Sequence, residues 1–356
     1  MSASIKEVAL KAGVSIATVS RVLNSTGPVA AETRQRILDA IEGLRYVPHG
    51  AARSLITNQT DTIGVLLPDL YGEFFSEVIR GIDAAARRRG YHVLISGFHS
   101  DRAEIEAVLR ALRGRVDGLI VLSPDVDAQG LRRNLPETLP VVLLNTPMDR
   151  RVDGARPDGV DLDAINLDNH GGAFAMVRHL AALGHRDIAL IRGPEENADA
   201  RERLRGYRDA LRSLGIAPTD GLELSGDFSE DSGYQAGRRL LTLKPRPTAV
   251  FAANDSMAIG CLFALRDAGV EVPGDIALAG FDDIPIARYI TPSLSSVHVP
   301  IAELGTRAME RLLHAVESKN GHERRQETVA TSLVVRGSCG GAASLTRGIE
   351  GIEQLS

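Results

Sequence analysis

Ile5-Lys-Glu-Val-Ala-Leu-Lys-Ala-Gly-Val-Ser-Ile-Ala-Thr-Val-Ser-Arg-Val-Leu-Asn24 reads as two short helices joined at Gly13. Ser4 and Glu7 stand at the S-x-x-E spacing of a capping box, which starts a helix at Ile5. Ile5, Val8, Ala9 and Ala12 recur at helical spacing, and Gly13 can take the positive φ that ends the run. Ser15 is placed to cap a second helix whose buried face is Val19, Val22 and Leu23. Ile16, Ala17, Ser20 and Arg21 fall on its outer face. An amphipathic hairpin inside a core would share this periodicity. A DNA-reading helix pair would present that outer face to the major groove.

The following residues favour DNA. Residues 32–44 form a third amphipathic helix, with Ile37, Ile41 and Leu44 on one face. Up to Thr60, seven basic residues (Lys6, Lys11, Arg21, Arg34, Arg36, Arg45, Arg53) face four acidic ones (Glu7, Glu32, Asp39, Glu42), a net of +3. The whole chain carries −5, so the remainder carries −8. A basic head that neutralises phosphates and an acidic body that avoids them would produce this asymmetry.

The 356 residues are enough for two or three domains, and 44% hydrophobic content suits a globular protein. No apolar run approaches a membrane span, and the N-terminus has no signal-peptide core. Cys261 and Cys339 are too few and too far apart for a disulfide framework, which points to the cytoplasm and to two structural thiols.

Residues 46–50 break the head's last helix, residues 51–55 suit one or two helical turns, and residues 56–62 read as a linker. From Ile63 strands and helices alternate: strands at 63–68, 91–97, 118–122 and 141–145, helices at 74–89 and 102–113, and a short helix before the fourth strand. The alternation restarts with a strand at 164–167, helices at 171–183, 200–214, 232–243 and 257–268, and strands at 188–191, 222–224, 249–253 and 276–279. A helix at 302–316 and a last strand near 329–335 follow. Two successive runs imply an α/β protein with two doubly wound parallel-sheet subdomains and a ligand cleft between them. The expected division is a head at 1–47, a hinge and linker at 48–61, and a core at 62–340. Within the core, the N-subdomain takes 62–163 plus 291–322 and the C-subdomain 164–290 plus 323–340. The polar tail at 341–356 reads as a disordered end. Asp168 and Asp255 are expected to cap helices.

At this point the chain resembles the lactose-repressor/galactose-repressor family of bacterial transcription regulators. The motif G-V-S-x-x-T-V-S-R-V-L-N from Gly13 to Asn24 carries the resemblance, with Glu32-Thr33-Arg34, residues 44–48 and residues 51–55. It continues through Asp168-Asn-His-Gly-Gly172, Arg203-Leu-Arg-Gly-Tyr207, Ala253-Asn-Asp255 and Gly280-Phe-Asp-Asp283. The resemblance implies a homodimer with helix-turn-helix heads, hinge helices and a core similar to periplasmic sugar-binding proteins. Two heads would read a pseudo-palindromic operator. Ser15, Ile16, Ala17, Thr18, Ser20, Arg21 and Asn24 would meet DNA, with Ala52 and the wedge Leu55 in the minor groove. Arg21 can fork onto guanine, whereas the apolar Ile16 and Ala17 have no side-chain hydrogen bond to offer a base. Phe74, Asp125, Arg203, Phe228, Asn254 and Asp282 would line an effector site, most readily for a sugar. An inducer would open the subdomains and a corepressor close them; sequence leaves both signs open.

Other classes fit the residues less well. A corepressed regulator answering to a purine or a phosphocarrier protein belongs to the same family. A periplasmic sugar-binding protein lacks the basic head. An enzyme would need chemistry that is not visible: there is no G-x-S-x-G elbow, no G-x-x-x-x-G-K-[ST] loop, no H-E-x-x-H and no metal-spaced cluster. Neither cofactor, metal nor membrane is expected.

Overall fold

The computed structural model describes residues 3–24, 27–46, 59–98, 102–122, 136, 138–145, 162–217, 221–318 and 321–341. The chain divides into two compact units, one up to Thr60 and the other from Asp61 onward.

The first unit contains α1 (Ile5–Ala12), α2 (Ile16–Asn24) and α3 (Ala31–Leu44). The capping box forms as expected. Ser4 N–H donates to Glu7 Oε2 at 2.6 Å, and Glu7 N–H donates to Ser4 Oγ at 3.4 Å. Gly13 takes a φ of 66° and ends α1, and Val14 N–H donates to the Ala9 carbonyl. Val8, Ala9, Ala12, Val19, Val22, Ile37 and Ala40 close a small core, with Tyr46 packed on it. Three short helices suffice because each contributes one apolar stripe to the same centre.

The second unit holds two six-stranded sheets. The first sheet contains β1 (Thr62–Leu67), β2 (His92–Gly97), β3 (Gly118–Leu122), β4 (Val141–Leu144), β5 (Asp163–Leu167) and one late strand. The second contains β6 (Ile188–Arg192), β7 (Glu223–Ser225), β8 (Ala249–Ala252), β9 (Ala277–Asp282), β10 (Ser295–His298) and another late strand. The late strands are β11 (Gln326–Val329) and β12 (Ser332–Val334). The orders are β11-β5-β4-β3-β1-β2 and β12-β10-β9-β8-β6-β7. The pairings are parallel except β10 with β12. Helices α4 (Glu73–Arg88), α5 (Arg102–Leu112), α6 (Asn169–Ala182), α7 (Ala198–Ser213), α8 (Glu230–Leu240), α9 (Asp255–Asp267) and α10 (Ile301–Glu317) connect them.

Several expectations are corrected. β5, expected to open the second sheet, pairs with β4 in the first. The single last strand is two: β11 joins β5 in the first sheet and β12 joins β10 in the second. β10, which periodicity does not announce, lies in the second sheet beside β9. The chain therefore crosses between subdomains after β5, between β10 and α10, and between β11 and β12. Fully buried strands read as continuous apolar runs, so periodicity announces a strand without saying which sheet it joins. β10 escapes because its buried Ser295 and Ser296 break the apolar run. The hinge turns at 51–55, the short helix before β4 and the tail at 341–356 lie outside the described residues, apart from Gly341.

Helix α10 returns to the first subdomain and packs on α4. A Cβ on Gly81 would stand 1.9 Å from the Ala302 carbonyl oxygen, and one on Gly305 would stand 2.3 Å from that of Val78. The two backbones can approach this closely only because these positions lack side chains.

Candidate DNA-reading face and effector cleft

On α2, Ser15 Oγ accepts from Thr18 N–H at 3.2 Å and lies 2.9 Å from Thr18 Oγ1. Ser15 and Thr18 thus build the cap at the start of the helix. The cap leaves N–H groups and the positive dipole end at that terminus, the arrangement that attracts phosphate. Ile16 is 44% exposed, and Ala17 and Arg21 are exposed beside it. Ser20 and Thr18 are half-buried, and Asn24 ends the helix. The expected outer face therefore faces outward. Ala52 and Leu55 lie outside the described residues.

The cleft of the second unit lies where the strand ends of both sheets meet. It holds about 580 Å³ of space, part of it open to solvent. The β1–α4 turn contributes Asp69, Tyr71, Gly72, Glu73, Phe74 and Phe75. The β7–α8 turn supplies residues 227–230, the start of α9 supplies Asn254 and Ser256, and the exit of β9 supplies Asp282 and Ile284. In each sheet the order reverses beside the first strand, so these turns diverge and leave a crevice.

Phe74 and Phe75 meet edge to face with ring centroids 5.6 Å apart, and both line the cleft. Opposite them, Phe228 holds a φ of 73°. Its ring fits because residue 193 is glycine: a Cβ there would fall 2.4 Å from the ring. Asn254 caps α9 by accepting from Met257 N–H at 2.9 Å, while its Nδ2 donates to the Phe228 carbonyl at 3.0 Å. Glu73 Oε2 reaches across and accepts from Ile286 N–H at 3.1 Å.

Arg203 is 4% exposed and stands behind the cleft wall rather than in it. Its Nε donates to Asn169 Oδ1 at 2.8 Å, and Nη1 donates to the Ala253 carbonyl. Nη2 lies 3.2 Å from Asp282 Oδ1, and the guanidinium stacks 3.8 Å above the Phe281 ring. Asp282 Oδ1 is buried and meets Arg203 as an ion pair. Burial pushes the Asp282 carboxyl up to about 6, and Arg203 opposes the rise.

Of the residues expected at the effector site, the structure brings Phe74, Phe228, Asn254 and Asp282 to one cleft, with Arg203 directly behind. Asp125 lies outside the described residues. Asp168 caps α6, accepting from Gly171 N–H at 2.8 Å. Asp255 is not the cap of α9, because Asn254 holds that role and Asp255 is fully buried. Sequence reasoning missed Asp69, Tyr71, Glu73, Asp227, Ser229, Glu230 and Ser256. Their signal was positional: each follows the C-terminal end of a strand, where open α/β sheets hold ligands. Among the described residues, no group of three His, Cys, Asp or Glu is placed to hold a metal ion, and no helix is long and apolar enough to cross a membrane.

Comparison with known proteins agrees with both halves. Residues 4–49 match the model of bacterial regulatory proteins of the lacI family, and residues 177–339 match a periplasmic binding protein-like domain. The ribose operon repressor of Escherichia coli (strain K12) is 37% identical over 339 residues, covering 94% of this chain and 99% of that protein. The repressor PurR of Photobacterium profundum is 36% identical over 338 residues, covering 94% and 98%. The crystal structure of the lac repressor dimer bound to operator and the anti-inducer ONPF matches with a TM-score of 0.83 at 30% identity, covering 95% and 99%. With a capped helix pair in the first unit, a two-sheet core in the second, and full-length similarity to these repressors, the chain belongs to the lacI family of bacterial regulatory proteins.

Proposed function

We propose that this regulator is a cytoplasmic repressor that binds a pseudo-palindromic operator as a homodimer and is controlled by an uncharged, hydroxyl-rich ligand, a sugar or sugar derivative. The carrying observation is the lining of the cleft. Asp69, Glu73, Asp227, Glu230 and Asp282 offer carboxylate oxygens beside the rings of Phe74, Phe75 and Phe228. No Lys or Arg lines the cleft among the described residues, and Arg203 is already engaged by Asn169, Ala253 and Asp282. Such a lining accepts hydroxyl donors and disfavours phosphate. The relative named ribose operon repressor supports the sugar. The relative named PurR supports a flat purine base as second reading, since the same rings would stack on it.

A thermal-shift screen tests the two readings with D-ribose, D-galactose, their phosphates and purine bases. A shift with a free sugar supports the first reading, and a shift with phosphates alone refutes it. Binding through Asp282 also fixes the sign of the pH dependence. Before a ligand binds, this carboxyl takes up a proton below about 6, and a neutral acid is a poorer acceptor. Sugar affinity should therefore be flat from pH 8 to 7 and fall as pH drops below about 6, by at most ~10-fold per unit. Titration calorimetry from pH 5 to 8 reads this; affinity that rises on acidification contradicts it.

On DNA, Ile16 and Ala17 are assigned the choice of operator, with Ser15, Thr18, Ser20, Arg21 and Asn24 as further contacts and Ala52 and Leu55 as the hinge contacts. Apolar side chains discriminate by touching thymine methyls or by excluding other bases. Exchanging Ile16 or Ala17 should therefore re-rank operator variants, each base change being worth about 1–3 kcal/mol. Competition binding at fixed salt measures it, and an equal loss on every variant would refute the assignment. A second copy would cover apolar side chains now open to solvent, including Leu94 and Ile95 on edge strand β2 and Phe263 on α9. Two heads would then meet two half-sites.

A further inference from the structure

Asp255 is a carboxyl group buried completely beneath the cleft wall. Its Oδ2 accepts from Ile284 N–H at 2.9 Å, and its Oδ1 lies 2.6 Å from Ser296 Oγ. The same Ser296 Oγ accepts from Asp283 N–H at 3.1 Å. One carboxyl and one hydroxyl thus hold consecutive backbone amides just after Asp282. The held turn is strained, because Asp282 and Asp283 take φ of 108° and 56° without being glycine. Such a conformation persists only when its surroundings over-determine it. Gly280 makes room for the holder: a Cβ there would stand 2.1 Å from Asp255 Oδ1. The product of the strain is the placement of Asp282 at the cleft wall, with its Oδ1 3.2 Å from Arg203 Nη2.

We propose that Asp255 is a positioning residue for effector recognition, a clamp that fixes the Asp282–Asp283 turn so that Asp282 meets the ligand. The proposal rests on the cleft being the effector site.

The charges around the clamp are distributed among its neighbours. From α7, Arg203 pairs with Asp282. From β10, His298 Nδ1 lies 2.9 Å from Asp283 Oδ2, and beyond β12, Arg336 Nη2 donates to Asp283 Oδ1 at 2.6 Å. From α8, Glu230 accepts from Ser256 Oγ at 2.6 Å. Arg203, His298 and Arg336 are taken up by Asp282 and Asp283, leaving Asp255 to two neutral donors. Burial first, and the charge of Asp282 next, hold its carboxyl well above the usual carboxylate range. The clamp therefore works through its two oxygens: Oδ1 accepts from Ser296 Oγ and Oδ2 accepts from the Ile284 amide. Asparagine keeps the shape and an acceptor for the Ile284 amide, and its Nδ2 can donate to Ser296 Oγ, whereas alanine offers neither.

Hydrogen exchange read by mass spectrometry on peptides spanning 280–290 tests the clamp without any ligand. Asp255→Ala should speed exchange there by about 10-fold or more, because the Ile284 amide loses its acceptor. Asp255→Asn should restore protection. With D-ribose as the probe, calorimetry should show affinity roughly 10-fold weaker for Asp255→Ala and within about 3-fold of the parent for Asp255→Asn from pH 5 to 8. Parent-like exchange in Asp255→Ala overturns the proposal, and so does Asp255→Asn behaving like Asp255→Ala. Should Asp255→Ala fail to fold, Ser296→Ala removes half of the clamp and is read by the same exchange measurement. If D-ribose does not bind the parent protein, the ribose reading of the cleft fails, while the exchange result still decides the clamp.

Discussion

Arg203→Leu is expected to destabilise the second unit by about 3–5 kcal/mol, the cost of leaving one member of a buried ion pair behind. The loss has identifiable parts. Asp282 would stay buried without its counter-charge, Asn169 Oδ1 and the Ala253 carbonyl would lose donors, and the Phe281 ring would lose its cation. Arg203→Lys should recover little, since one ammonium cannot reproduce two directed hydrogen bonds and an ion pair made from one planar fork. Removing both charges, Arg203→Leu with Asp282→Leu, should cost less than the sum of the two single changes, because neither charge is then stranded. Urea unfolding of the four proteins at pH 7 gives the cycle. Strict additivity would mean that the pair is not coupled. The single change should also remove the thermal shift given by a bound sugar, since the cleft face of Asp282 depends on this support.

Gly81→Val should be the most damaging substitution without any change of charge, at about 3 kcal/mol or insolubility. The new Cβ would meet the Ala302 carbonyl at 1.9 Å, and that neighbour is backbone, which has no rotamer to yield with. Helix α10 would have to leave α4, opening the face formed by Val78, Ile82, Leu304 and Ala308. Gly90→Ala is the contrast: it has open space around it, although its φ of 76° adds a smaller strain. A urea midpoint unchanged in Gly81→Val would contradict the close helix crossing.

The sequence was most legible where the governing physics is local. The Ser4–Glu7 box, the Gly13 turn and the Ser15 cap involve groups within a few residues of one another, and all form as expected. Strands such as Gly118–Leu122 fall at their expected limits because every side chain in them is buried. What stayed hidden depends on distant partners. Nothing within residues 163–167 says that they will pair with β4 rather than begin a new sheet. Arg203 and Asp282 stand out through family motifs, but that one stands behind the other is a fact of packing. Asn254 was expected to touch the ligand, and most of its amide is used to cap α9 and hold the Phe228 turn. Asp255 was expected to cap, yet the cap fell to its neighbour because the residue before a helix, not its first residue, has the extended backbone a capping side chain needs.

The repeated passage of the chain between the two sheets has a kinematic consequence. Two rigid bodies joined by one tether can swing and twist in any direction. Three tethers side by side act like the pins of a door hinge: twisting and sliding would stretch at least one of them, and only bending about the line through them stays soft. The lobes joined after β5, between β10 and α10, and between β11 and β12 therefore have one easy coordinate. A small molecule that changes the cleft width must spend its effect on that coordinate, so a contact of a few ångströms becomes a rotation of defined axis.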